Sequence, residues 1–234
     1  MQSLASPTRL RVTGSGPVGP YTLLRIERGD LDPGLPGQFF MLEAPGRLLP
    51  RPCSLCLAPA GELAFLVDPI GPGTQAICEL KVGDEISVLG PLGHGYRLDV
   101  ERPLLVGGGI GIAPLPYLAE KLGGSPPIAL GFRSKEHAEA AALLPGAEVA
   151  IDPVLVTELI DPGFDVLACG PEPMLLAVAE RCTDAQLAWE APMACGYGAC
   201  YGCVVEIDGV LKRLCLEGPV LDAARVRMPV EAVA

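Results

Sequence analysis

Basic residues are in short supply in this 234-residue sequence: lysine is scarce relative to arginine, histidine occurs only twice, and the formal net charge is -11. That balance argues against a nucleic-acid partner, because phosphate binding needs a basic surface from which counterions are released. Asparagine is absent and tryptophan occurs once. No apolar run is long enough to span a bilayer, so the positive mean hydropathy is left to serve cores and a subunit interface, and no membrane role is expected. The opening residues "MQSLASPTRLRV" lack the apolar stretch of an export signal, and the cysteine count of nine is odd. A disulfide framework is therefore not expected, and the reading is a reducing, cytoplasmic setting with thiols free or ligated. No internal repeat or low-complexity block is apparent, since the abundant glycine and proline punctuate apolar stretches as turns do.

The chain divides into three stretches. Residues 1–100 carry short alternating runs, "TRLRVTG", "YTLLRIER", "GQFFMLEA", "PCSLCLAP", "ELAFLVD" and "DEISVLG". Glycine and proline separate them at the spacing of a small antiparallel β-barrel, with one helix expected at Thr74–Leu80. Residues 101–190 change grammar. The buried-strand candidates "PLLVGGG", "PPIALGF", "AEVAI" and "DVLACG" alternate with helical stretches at Ala113–Leu122, Lys135–Leu143 and Pro171–Arg181, which predicts a doubly wound parallel sheet with helices on both faces. Residues 191–234 hold a cysteine-rich segment and the hairpin "CVVEIDGVLKRLC", whose Asp208-Gly209 pair suits a type I′ turn. The fold class is thus mixed β and α/β.

Two features carry chemistry. "LLVGGGIGIAPL" leaves a strand and enters a helix, where backbone N–H groups can meet a pyrophosphate. It departs from the G-x-G-x-x-G fingerprint, however, and a tight structural turn is the competing reading. The segment "MACGYGACYGC" followed by "RLC" gives Cys195, Cys200, Cys203 and Cys215 the spacing C-x4-C-x2-C plus a distant fourth. This is the plant-type [2Fe–2S] pattern. A structural zinc site is the competitor, but it usually takes two paired-cysteine knuckles and only Cys200 and Cys203 form one. A thioredoxin-like C-x-x-C would need a strand-to-helix setting, not a hairpin.

Four motifs in order carry a family resemblance: "RPCS" (Arg51, Pro52, Cys53, Ser54), "GPGT" (Gly73, Thr74), the glycine loop (Gly107, Gly108, Gly109, Gly111, Pro114) and "CGPEPM" (Cys169, Gly170, Pro171, Met174). Together they resemble the ferredoxin reductase superfamily, which carries a flavin on the barrel. With "MACGYGACYGC", "GQFFMLEAP", "VLGPLGHGY" and "EGPVLD", nearly the whole chain is similar to the electron-transfer subunits of two-subunit, NAD-linked dihydroorotate dehydrogenases. The resemblance implies FAD on residues 1–100, with Arg51 and Gly73-Thr74 at its diphosphate, Ser54 near flavin N5, and Leu66, Val67 and Asp68 against the cofactor. It implies NAD as exchangeable substrate on residues 101–190, at Gly107, Gly108, Gly109, Gly111, Cys169, Gly170 and Pro171, with Cys169 near the nicotinamide. It further implies a [2Fe–2S] cluster on the four cysteines. The partner implied is an FMN-containing catalytic subunit that oxidises dihydroorotate, in a heterotetramer of two of each chain serving pyrimidine synthesis.

Standing alone, Arg51 reads as a solvated or salt-bridged side chain, and Cys53 as a small packed hydrophobe, as do Cys56, Cys78 and Cys182. One segment departs from the family. After "AEVAI", relatives resemble D-D-G-S-x-G-x-K-G-x-V-T-D, whereas this chain reads "DPVLVTELI" from Asp152, so most of a polar loop is missing and the hold on the nucleotide is left open. The flavin and iron–sulfur subunit of a hydrogenase or of a ferredoxin-linked transhydrogenase shares the layout, and a non-catalytic redox sensor is the reading from another class.

Overall fold

The computed structural model describes residues 6–225; residues 1–5 and 226–234, the outer ends of the first and third stretches, lie outside the described residues. Six strands form a closed antiparallel barrel: β1 (Thr8–Val18), β2 (Tyr21–Glu27), β3 (Phe39–Glu43), β4 (Arg51–Leu57), β5 (Glu62–Val67) and β6 (Glu85–Leu92), in the order β1-β2-β5-β4-β3-β6. Closure removes the exposed edges that an open sheet would leave. The barrel interior is packed by Leu24, Ile26, Phe40, Leu42, Leu63 and Phe65, the two phenylalanines edge-to-face at 5.5 Å. Helix α1 (Pro72–Cys78) begins two residues earlier than the sequence suggests, because Pro72 supplies a helical φ and lacks only an N–H that the first turn leaves unpaired.

The second sheet has the order β14-β11-β10-β7-β8-β9. Strands β7 (Pro103–Gly108), β8 (Ile128–Phe132), β9 (Glu148–Ile151), β10 (Asp165–Cys169) and β11 (Gln186–Ala188) are parallel, and β14 (Val220–Asp222) closes one side antiparallel to β11. Both faces are covered. Leu105, Leu130 and Leu167 pack with Leu115 and Leu118 of α2 (Leu115–Leu122), while Val106, Val166 and Ala168 pack with Leu175 and Val178 of α4 (Glu172–Arg181).

Two expected helices are shorter than read. A 3-10 turn at Gly109–Ile112 precedes α2, with Pro114 at the cap, and α3 (Lys135–Ala138) passes into 3-10 geometry over Glu139–Leu143. The sheet reverses its winding between β7 and β10, which makes that crevice the place where doubly wound folds receive ligands.

Strands β12 (Val204–Ile207) and β13 (Val210–Arg213) form the expected hairpin, with Asp208 and Gly209 at φ 56° and 75°. Short helix α5 (Leu214–Glu217) follows, and β14 then carries the third stretch back onto the second sheet. The barrel is tied to the sheet by Tyr96, whose buried hydroxyl donates to the Ala168 carbonyl at 2.8 Å, and by Gln186, which bonds the Arg97 backbone in both directions. Among the described residues no helix is long and apolar enough to cross a membrane.

Candidate functional site

Two adjoining cavities open at the reversal point. The first, about 200 Å³, lies between the barrel and the β7–β10 crevice. It gathers Pro52, Cys53, Ser54, Leu66, Val67, Asp68, Thr74, Gly111 and Cys169 from five separate segments. On β4, Ser54 lies opposite Phe39 of β3, and Cys53 both borders the cavity and packs in the barrel core, where burial pushes its thiol up to about 12. Burial likewise holds the Cys169 thiol well above its ordinary value, with the charge of Glu190 adding to the effect. Neither thiol is therefore a thiolate at neutral pH.

Arg51 and Gly73 do not line this cavity but meet one another beside Thr74. The guanidinium covers the Gly73 α-carbon so closely that a Cβ there would collide with it. One edge of Arg51 is committed, Nη1 donating to the carbonyls of Leu49 and Pro50 at 3.1 Å each, and its other edge lies over the start of α1. The Gly71 N–H donates to Thr74 Oγ1 at 3.1 Å and fixes that turn.

The second cavity, about 530 Å³, lies at the carboxyl ends of β7, β8 and β9. Gly108, Gly109 and Pro171 line it, as do Asp152, Val154 and Leu155 of the departing loop. Asp68 and Ile110 border both cavities, so the two adjoin there. Gly107 and Gly170 line neither: a Cβ on Gly107 would meet Ile112, Leu115 and Leu130, and one on Gly170 would meet Met174, so both serve close packing. Gly111 lets its turn lie against the Cys169 carbonyl, and Gly109 takes φ 55°.

The four cysteines fall into two pairs. The Ala199 and Cys200 N–H groups donate to Cys195 Sγ at 3.3 and 3.4 Å, and Gly202 N–H donates to Cys200 Sγ at 3.4 Å. The Gly202 N–H first, and the backbone and thiol of Cys195 after it, bring the exposed Cys200 thiol down to about 7. Cys203 and Cys215 lie side by side in the interior, where burial first and the neighbouring Cys203 second push Cys215 up to about 12. Among the described residues no three thiol, imidazole or carboxylate groups converge on one point. Thiols grouped in two pairs, the outer pair with N–H donors at its sulfurs, suit a centre with two metal atoms and sulfide better than one tetrahedral ion.

The structure adds residues that the sequence did not single out. Trp189 and Glu190 follow β11 directly and line the first cavity. The Glu190 side chain is open to the cavity yet surrounded by protein, which holds its carboxyl above the usual range. A polar residue at a strand's carboxyl end in this fold was the available signal. In the second cavity Arg133 donates from Nε to His137 Nε2 at 2.8 Å, and the His137 ring stacks edge-on against Tyr21.

Residues 190–227 match the family model of the iron–sulfur cluster binding domain of dihydroorotate dehydrogenase B. The chain is 40% identical over 222 residues to the electron transfer subunit of dihydroorotate dehydrogenase B (NAD(+)) of Geobacillus thermodenitrificans, covering 82% of this chain and 86% of the relative. It is 35% identical over 211 residues to the corresponding subunit of Clostridium perfringens, covering 81% and 86%. In fold it is similar to the NADH-dependent reduced ferredoxin-NADP oxidoreductase, with TM-score 0.78 and 24% identity over 97% of this chain and 91% of that one. Phthalate dioxygenase reductase shares the fold at TM-score 0.56 and 19% identity, over 75% and 64%.

Proposed function

The chain belongs to the electron transfer subunits of dihydroorotate dehydrogenase B, and from that premise we propose that it relays electrons through FAD and a [2Fe–2S] cluster. The relay runs between an FMN-containing catalytic subunit and NAD, in a cytoplasmic assembly of two of each chain. A flavin exchanges hydride with a nicotinamide and single electrons with an iron–sulfur centre, which is the chemistry that joins the two ends.

One observation carries the reading. Phe39, Trp189 and Met193 form part of the wall of the first cavity and also pack in the apolar cluster that contains Cys203 and Cys215. A layer of packed side chains thus stands between the cavity and the inner cysteine pair, and such a layer keeps water out of the path between two redox centres.

The residues fit the groups assigned to them. Arg51 offers a charged edge for the flavin diphosphate beside Gly73 and Thr74. Ser54, Asp68 and Cys169 are among the few polar groups in an otherwise apolar cavity, as a ring-binding site requires. Gly108, Gly109, Pro171, Arg133 and Asp152 border the space for the dinucleotide. Cys195 and Cys200 would hold one iron, and Cys203 and Cys215 the other.

Metal, sulfide and flavin analysis of the purified chain tests the proposal. Iron and acid-labile sulfide near two each and one FAD per chain are the expected result. Stoichiometric zinc without sulfide would overturn it.

A further inference from the structure

We propose that Arg213 is the positioning residue of the cysteine loop and the fixed positive charge that sets the potential of the cluster held there. The inference rests on the reading that the four cysteines hold an iron–sulfur centre, and it concerns a residue outside the ligand set.

Arg213 reaches all three limbs of the loop. Its Nη1 donates to the Gly198 carbonyl at 2.7 Å, midway between Cys195 and Cys200. Its guanidinium carbon stacks 4.6 Å from the centroid of the Tyr201 ring, between Cys200 and Cys203. Its own backbone ends β13 and leads, two residues on, to Cys215.

Tyr201 needs such support. It has φ 58°, a conformation that a residue with a side chain seldom adopts unless neighbours hold it, and its ring is exposed. The stacked guanidinium supplies the hold, as arginine does better than lysine because its plane can stack and hydrogen-bond at once.

The charge has an electrical consequence. A cluster that accepts one electron becomes more negative by one unit, so a cation fixed nearby favours the reduced form and raises the potential. Arg213 is half-buried, where solvent and salt screen it less than an open surface charge. The neighbouring charges are arranged differently: Lys212 is engaged with Asp208 at 3.3 Å, and Glu217 is exposed.

Potentiometric titration of the full cofactor-loaded chain, followed by electron paramagnetic resonance, separates the two roles. Arg213→Met is expected to move the cluster potential below that of the wild type. Arg213→Lys keeps the charge and should hold the wild-type potential while losing iron to a chelator about tenfold faster, the usual scale for a lost supporting contact. Glu217→Gln, which removes an opposing charge, should move the potential upward. An unchanged potential in a loaded Arg213→Met chain, or a fall in Arg213→Lys as large as in Arg213→Met, overturns the role given to the charge. Wild-type iron loss in Arg213→Lys overturns the positioning role. If Arg213→Met does not load, Arg213→Gln is titrated in its place, and an unchanged potential there overturns the role of the charge. A wild-type chain without iron and sulfide overturns the cluster reading and this inference together, whereas the other negative results strike Arg213 alone.

Discussion

The guanidinium of Arg51 lies over the α-carbon of Gly73, and a methyl group placed there would sit 2.6 Å from Nη2. The glycine is thus a cradle for the arginine and not a backbone requirement, since its φ lies outside the left-handed region. Gly73→Ala should displace Arg51 and release flavin, as Arg51→Ala should. A paired charge contact worth about 1.5–3 kcal/mol is lost in each, weakening flavin retention by about tenfold to a hundredfold. Because alanine favours a helix, the flavin-free Gly73→Ala chain should melt no lower than the wild type. Flavin content and melting temperature, measured together, check both halves.

Tyr96 joins the barrel to the second sheet through its buried bond to the Ala168 carbonyl. Tyr96→Phe should cost about 0.5–1.5 kcal/mol of stability, the net worth of one such bond, with the flavin still held. Denaturant unfolding at constant m-value is the measurement. A loss well beyond this range would mean that the hydroxyl organises more of the junction than one carbonyl.

Trp189 is the single tryptophan of the chain and forms part of the first cavity's wall. Intrinsic fluorescence should therefore be quenched while flavin is bound and rise when it is stripped, with Trp189→Phe abolishing the signal. Equal emission with and without flavin would place the cofactor elsewhere.

The barrel strands and β7 to β10 were legible because each is a run of four or more residues with a clear alternating or apolar pattern. β11 and β14, three residues each, were not. "QLA" and "VLD" are strands only because they pair with one another and β11 with β10, a contact that no local pattern encodes. The "RPCS" and "CGPEPM" motifs named Pro52, Cys53, Ser54, Cys169, Pro171 and Met174 among the cavity-lining residues, because the chemistry restricts residue type at those positions. Glu190 and Arg133 escaped, since single charged residues after short strands look like any solvated pair until the fold turns them toward a cavity. The glycine loop was legible as a site but not in its division of labour, for only the packed structure separates Gly107, which lines neither cavity, from Gly108 and Gly109, which line the second.

The central claim is that the cysteine segment lies in series between the two ends of the reaction. Cys200→Ser and Cys203→Ser, assembled with the catalytic subunit, should leave NADH reduction of an artificial acceptor at the flavin and dihydroorotate oxidation with an artificial acceptor at the partner each near wild type. Dihydroorotate-dependent reduction of NAD should vanish in the same preparations. Full transfer from dihydroorotate to NAD in a complex shown to lack iron and sulfide would contradict the account, leaving residues 193–215 a structural segment that the electrons bypass.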